Sequence, residues 1–141
     1  MSVQEQEQTK ERYYREAIRC MDEAREYLKN AEKEDNFYVD RKIVKKAFKT
    51  VYGGFLVALE GFFTLNGLKP KAKERKSVEF YQHNIAKIDK GMQIYLENAF
   101  KILLLLGYVD GASDAVIIEH GFDFAYTLID KIKPSKSFVC Q

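Results

Sequence analysis

Histidine and cysteine, the side chains best suited to nucleophilic, acid–base and metal chemistry, are scarce in this chain. The two histidines are His83 and His120, and the two cysteines are Cys20 and Cys140. None of them has the paired spacing of a structural zinc site. A di-iron bundle needs Glu-x-x-His motifs, and the sequence contains none. We therefore expect no catalytic residue, no metal and no cofactor, and the sequence favours a protein that is not an enzyme.

Weaker arrangements remain as alternatives. Glu79 and His83 lie four residues apart, and His120 and Asp123 lie three apart, so each pair could hold one side of a metal or form a surface contact. Cys20 falls beside a predicted apolar stripe, where a packed thiol is the usual role. No glycine-rich phosphate loop occurs, so nucleotide binding has no support.

Five basic residues form a concentrated positive charge between the predicted second and third helices, against the single acid Glu74. They are Lys69, Lys71, Lys73, Arg75 and Lys76. This segment could bind phosphates or an acidic partner, and a solvated loop is the alternative. The whole chain has 23 basic and 21 acidic residues, a net charge of +2. Such a weak overall field argues against nucleic acid as the partner.

Apolar residues that recur at alternating steps of three and four predict the helices that position these groups. The first helix runs from about Glu5 to Glu34. The second begins after Asp40, a good N-terminal cap, and ends at Asn66-Gly67. The third keeps its phase from Val78 to Leu106, and we expect one long helix with a kink or break near Asp89 to Gly91 as the alternative.

The last helix is predicted from Ala115 to Ile132, between a turn at Gly107 to Gly111 and Pro134. The tail from about residue 135 is expected to be loose. Only two prolines occur in 141 residues, 46% of which are hydrophobic. A chain of this size can bury roughly two thirds of its surface in one core. We therefore predict an all-α fold, one domain over residues 1–141, built as an up-and-down four-helix bundle.

Three glycines lie inside the predicted second helix: Gly53, Gly54 and Gly61. Each costs up to about 1 kcal/mol relative to alanine in a helix. We expect close packing against a neighbouring helix to compensate at all three positions. A ligand pressed against the Gly53-Gly54 backbone is the alternative.

The end of the third helix is apolar all round, over Ile102, Leu103, Leu104, Leu105 and Leu106. Such a run is buried on several sides or forms a patch that a partner covers, so it is our candidate for self-association, most simply as a homodimer. The longest apolar stretch, Ile102 to Val109, is far shorter than the roughly 20 residues of a membrane span. With two cysteines and no leader-like start, we expect a cytoplasmic protein.

Two stretches resemble the HEPN-like helical bundles, and in particular a family of short bacterial proteins of that shape. They are Tyr14-Arg15-Glu16-Ala17 through Gly67, and Leu103-Leu104-Leu105-Leu106-Gly107-Tyr108-Val109-Asp110-Gly111 through the Phe122-to-Ile132 helix. The resemblance implies a bundle that often dimerises and often works beside a partner protein such as a nucleotidyltransferase.

Active HEPN ribonucleases carry an arginine that is separated from a histidine by four to six residues, and this chain departs from that pattern. Seven residues separate Arg75 from His83, and no arginine stands in the window before His120. Our first hypothesis is therefore a non-catalytic interaction module that self-associates or binds a partner protein. A divergent HEPN-type ribonuclease or toxin is the second hypothesis, and a bundle that binds a small ligand is the third.

Overall fold

The computed structural model describes residues 1–135, and the first of its helices is a long amphipathic one. This helix, α1, spans Val3–Lys29, and the Ser2 hydroxyl caps it by accepting from the Glu5 amide at 3.1 Å. Its buried stripe is regular: Tyr13, Ala17, Met21, Ala24 and Leu28. The small alanines let the second helix pack closely on α1. A Cβ added at Gly54 of that second helix would lie only 3.2 Å from the Ala17 carbonyl oxygen.

A short hairpin follows α1, so the first helix ends at Lys29, and the prediction that it continues to about Glu34 is wrong because Lys33 and Glu34 pair as a strand instead. Strands β1 (Lys33–Glu34) and β2 (Phe37–Tyr38) pair antiparallel, and Asp35 in the turn has a positive φ of 55°. The hairpin also bonds to the loop before the last helix, because the Tyr38 amide donates to the Ser113 carbonyl at 2.9 Å. These bonds fasten the link between the first two helices to a segment 75 residues away in the chain.

Helix α2, Arg41–Leu65, is the central element of the core. Asp40 caps its start by accepting from the Lys42 amide at 2.9 Å, and Gly67, with φ +80°, follows its end. Both predicted ends are therefore confirmed. Buried residues occur on nearly every side of α2, which packs against α1 and also against two later elements, described below.

The glycines of α2 divide into two kinds. A side chain at Gly61 would begin 2.8 Å from the Tyr13 ring, and one at Gly54 would begin 2.9 Å from Cys20 Cβ. These distances confirm the predicted close packing of α1 on α2 at both positions. Nothing lies within 4 Å of a side chain added at Gly53, so the packing prediction is wrong there.

The predicted third helix is broken into three consecutive pieces. Helix α3 spans Val78–Ile88, helix α4 spans Met92–Phe100, and a π-helical segment spans Lys101–Val109. The break falls near Asp89 to Gly91, the alternative that the sequence left open. Asp89 has extended backbone angles, φ −159° and ψ 107°, and its carboxylate accepts from the Gly91 amide at 2.9 Å. A short aspartate turn therefore interrupts the helix, and buried residues occur on both sides of it.

Helix α5, Ala115–Lys131, completes the described fold. The Asp114 carboxylate caps it by accepting from the Val116 amide at 2.8 Å. Gly107 was expected in the preceding turn, but it lies within the π-helical segment, and the turn begins only at Asp110. Packing explains why the helix continues through Gly107, because Gly107 lies directly against the Phe48 ring, where no larger residue would fit.

The described residues therefore hold five α-helices and one small two-stranded sheet, and the fold is mainly helical. Helix α5 and the π-helical segment both pack on α2. Arg25 of α1 lies 3.8 Å above the Phe122 ring of α5 and pairs with Glu119 at 2.6 Å, which ties the first helix to the last. Across residues 1–135, no helix is long and apolar enough to cross a membrane. The tail predicted to be loose lies outside the described residues beyond Ser135.

Candidate interaction surfaces

The predicted basic segment lies on the link between α2 and α3, with every basic side chain exposed. These residues are Lys69, Lys71, Lys73, Arg75 and Lys76. Pro70 is buried and holds the start of the segment against the core. The single acid of the segment, Glu74, is engaged by the backbone, because its carboxylate accepts from the Lys71 amide at 2.9 Å. The fold thus presents the cations to solvent and turns the acid toward the chain itself.

Arg75 is the residue that attaches the basic segment to the helices. Its Nε lies 2.9 Å from the carboxylate of Glu60, whose side chain is only 14% exposed. The same carboxylate accepts from the Tyr13 hydroxyl at 3.4 Å, and the Tyr81 hydroxyl donates to the Arg75 carbonyl at 3.0 Å. Burial raises the pKa of Tyr81, so this hydroxyl stays protonated and able to donate. One carboxylate and two tyrosines therefore fix the backbone and the guanidinium of Arg75.

An open groove of about 340 Å³ lies beside this network, between α1, α2 and the basic segment. Its cations are Arg12, Lys69 and Arg75, and its apolar lining includes Val57. The Arg12 guanidinium lies 4.8 Å from the centre of the Tyr13 ring, a favourable cation–π distance. We call Arg12 together with the five exposed basic residues of the segment the basic surface.

The apolar run at the end of the third predicted helix is only partly available to a partner. Leu103 is fully buried and belongs to the core. Ile102, Leu104 and Leu106 are half-buried, and Leu105 is 54% exposed. One side of the apolar run therefore packs in the core, and another side leaves apolar area exposed to solvent. Of the five candidates for self-association, Leu105 offers the largest free apolar area.

Two further large side chains are exposed on the same stretch of helix. Ile94 is 71% exposed and Tyr108 is 38% exposed. Ile94 belongs to α4, and Leu105 lies eleven residues further on, in the π-helical segment that continues α4. We call Ile94, Leu105 and Tyr108 the apolar surface. The sequence pattern pointed to the run but missed Ile94, because a single apolar residue off the main stripe carries no periodic signal.

The remaining candidate groups are not brought together into one site. His83 and His120 are both exposed and lie on different helices, α3 and α5. Burial raises the pKa of the Cys20 thiol, which keeps it protonated and poorly nucleophilic. Within residues 1–135, no three histidine, cysteine, aspartate or glutamate side chains are placed to hold a metal ion. Cys140 lies outside the described residues.

The fold and these two surfaces define a small helical protein that presents exposed charge and exposed apolar area. A family described as a domain of unknown function, DUF5618, matches residues 12–134, and the chain belongs to this family. It is also similar to a solved protein of unknown function from Dyadobacter fermentans, with 34% sequence identity and a TM-score of 0.74. That similarity covers 94% of this chain and 97% of the other. None of the functionally curated proteins matches the chain.

Proposed function

We propose that this protein is a non-catalytic helical interaction module that self-associates through its apolar surface, most simply as a homodimer. The observation that carries the proposal is the exposure of Ile94 and Leu105, at 71% and 54%, on one continuous helical stretch. Single exposed apolar residues are ordinary, but several large ones on one leucine-rich helical stretch offer apolar area that a second copy can cover.

The architecture we propose for the module is an up-and-down four-helix bundle related to the HEPN-like bundles. The broken third segment, from α3 to the π-helical segment, would count as one helix between α2 and α5. Support comes from the packing of α2 against α1, α5 and the π-helical segment, and from the resemblance of the sequence. We infer a cytoplasmic location for it from the low cysteine content, since two cysteines in 141 residues suit a reducing compartment.

The loss of dimer stability expected from one substitution in the apolar surface is large enough to measure. Complete burial of a leucine or isoleucine contributes about 1.5 to 3 kcal/mol, and the exposed fractions leave roughly 1 to 2 kcal/mol per side chain. A two-fold interface uses each side chain twice. Leu105→Lys should therefore weaken a dimer by roughly 2 to 4 kcal/mol, or about 30- to 1,000-fold in Kd.

The test is the solution mass of the purified protein by light scattering at micromolar concentration. We expect twice the chain mass of 16.4 kDa for the wild type, and monomer for Leu105→Lys and Ile94→Lys. Val3→Lys is the matched control, because Val3 is 78% exposed but lies at the start of α1. A monomeric wild type, or a dimer that Leu105→Lys and Ile94→Lys leave intact, would contradict the proposal.

A further inference from the structure

The basic surface has an excess of cations that the fold does not neutralise. Within residues 1–135, only Arg75 of its six basic residues forms an ion pair with a carboxylate, that of Glu60. Glu16, which also lines the groove, is engaged by Arg19 through contacts at 2.6 and 3.1 Å. Two acids of the groove are thus already paired, and Glu74 accepts from the Lys71 amide. Five cations are left for a partner.

The surface is held in place although its side chains are exposed. Pro70 is buried at its start, and the Tyr81 hydroxyl fastens the Arg75 carbonyl near its end. Glu60 binds the Arg75 guanidinium, and the Tyr13 ring lies under Arg12. A partner that binds here therefore meets a backbone that is already ordered, which lowers the entropic cost of association.

The shape and the amount of charge favour an acidic protein segment over other anions. The cations are spread along an open, eight-residue link rather than gathered in an enclosed cavity that would surround one phosphate. The net charge of the chain is only +2, and its pI is about 8.4, below the values above 9 typical of nucleic-acid-binding domains. The lysines lie on both sides of and within a 3₁₀ turn, Ala72–Glu74, and the several carboxylates of an acidic segment can pair with cations distributed in this way.

We propose that the basic surface is a docking site for an extended, acidic segment of a partner protein. The site is separate from the part of the apolar surface that Leu105 and Tyr108 form. Gly107, between Leu105 and Tyr108, packs on Phe48 near the start of α2, whereas the basic segment follows the end of α2, about 25 Å along its axis. Loss of one function therefore leaves the other measurable, and the two proposals can fail independently.

The experiment is fluorescence anisotropy with a labelled peptide of about twelve residues, mostly glutamate, titrated with the full-length protein. The test variant is Lys71→Glu/Lys73→Glu/Lys76→Glu, which leaves Arg75 and its network intact. The matched control is Lys42→Glu/Lys49→Glu/Lys90→Glu, which changes the net charge equally at exposed lysines elsewhere. Circular dichroism establishes that both variants are folded.

We expect saturable binding that weakens at least tenfold in the test variant, stays within about threefold in the control, and falls as salt screens the charges. Equal losses in both variants would overturn the proposal, because only overall charge would then matter. Absence of saturable binding below millimolar concentration would also overturn it. Tighter binding of a single-stranded RNA of similar length, if the test variant loses that binding, would overturn it too, since the surface would then bind phosphates.

Discussion

The contact between Gly107 and Phe48 gives the sharpest prediction about how this core is built. A Cβ added at Gly107 would lie 2.1, 2.3 and 2.5 Å from Cδ1, Cγ and Cε1 of the Phe48 ring. Ordinary contacts between carbon atoms are about 3.5 to 4.0 Å, so the ring would have to move by more than about 1 Å. Phe48 is 2% exposed, and a Cβ at Gly121 would lie 2.9 Å from the same ring. The ring is therefore confined between two glycines.

The cost of Gly107→Ala follows from that confinement. Overpacking of a filled core typically costs about 1 to 3 kcal/mol. The closeness of the Phe48 ring places this variant in the upper part of that range, about 2 to 3 kcal/mol. Replacing glycine by alanine in a helix returns about 0.5 to 1 kcal/mol, so the variant should lose roughly 1 to 2.5 kcal/mol of unfolding free energy. For a chain of this size the loss lowers Tm by roughly 3 to 10 °C.

The assay is urea and thermal unfolding followed by circular dichroism at one fixed protein concentration. Gly53→Ala is the control, because nothing lies within 4 Å of the added carbon and the variant should gain about 0.5 to 1 kcal/mol. In a double-mutant cycle with Phe48→Leu, the smaller side chain should relieve the Gly107→Ala penalty by roughly 1 kcal/mol. A Gly107→Ala protein as stable as the wild type, or strictly additive energies in the cycle, would refute the reasoning.

Two other predictions concern a helix cap and alkaline pH. Asp114→Ala removes the carboxylate that accepts from the Val116 amide, so urea unfolding should show a loss of about 1 kcal/mol of unfolding free energy. Asp114→Asn keeps an acceptor and should retain most of that stability. Equal losses in the two variants would count against the capping role. Burial raises the pKa of Tyr52 to about 12, above the value near 10 in an unfolded chain. Below pH 10 the Tyr52 hydroxyl is protonated in both the folded and the unfolded chain, so it makes the stability neither rise nor fall with pH. Between about pH 10 and 12 only the unfolded chain ionises, so the free energy of unfolding should fall as pH rises through this range. The urea midpoint should therefore decrease less between pH 9 and pH 11 in Tyr52→Phe than in the wild type. An equal decrease in the two proteins would show that ionisation of Tyr52 is not the cause.

Both ends of α2 could be predicted because local chemistry decides them. Asp40 supplies an acceptor for the first free amides of α2, and Gly67 takes the left-handed angles that follow Asn66. The break near Asp89 could only be left open, since the apolar spacing keeps its phase across it. The choice depends on whether the Asp89 carboxylate bonds to the Gly91 amide, and periodicity does not contain that information.

Features that depend on distant partners could not be read from the sequence. The β-hairpin is stabilised by Ser113, far along the chain, and its own residues show no alternating pattern. The π-helical segment escaped prediction because the apolar spacing, which keeps its phase to Leu106, predicts an ordinary helix and carries no information on π-helical hydrogen bonds. Its geometry is set by Gly107 fitting against Phe48, which comes from another helix.

The candidate surfaces were predictable to different degrees. A cluster of five cations around Glu74 is visible in any sequence, and the fold keeps all five exposed. Arg12, which lines the same groove, joins them only because α1 runs beside the end of α2. The apolar run was recognised by composition, but only the fold separates buried Leu103 from exposed Leu105.

Sedimentation equilibrium of the wild type, of Leu105→Lys and of Val3→Lys over a wide concentration range tests the central claim most directly. The account predicts a monomer–dimer equilibrium whose Kd rises by about 30-fold or more in Leu105→Lys and stays unchanged in Val3→Lys. A wild type that remains monomeric at every concentration, or a Kd that both variants change equally, would contradict self-association through the apolar surface.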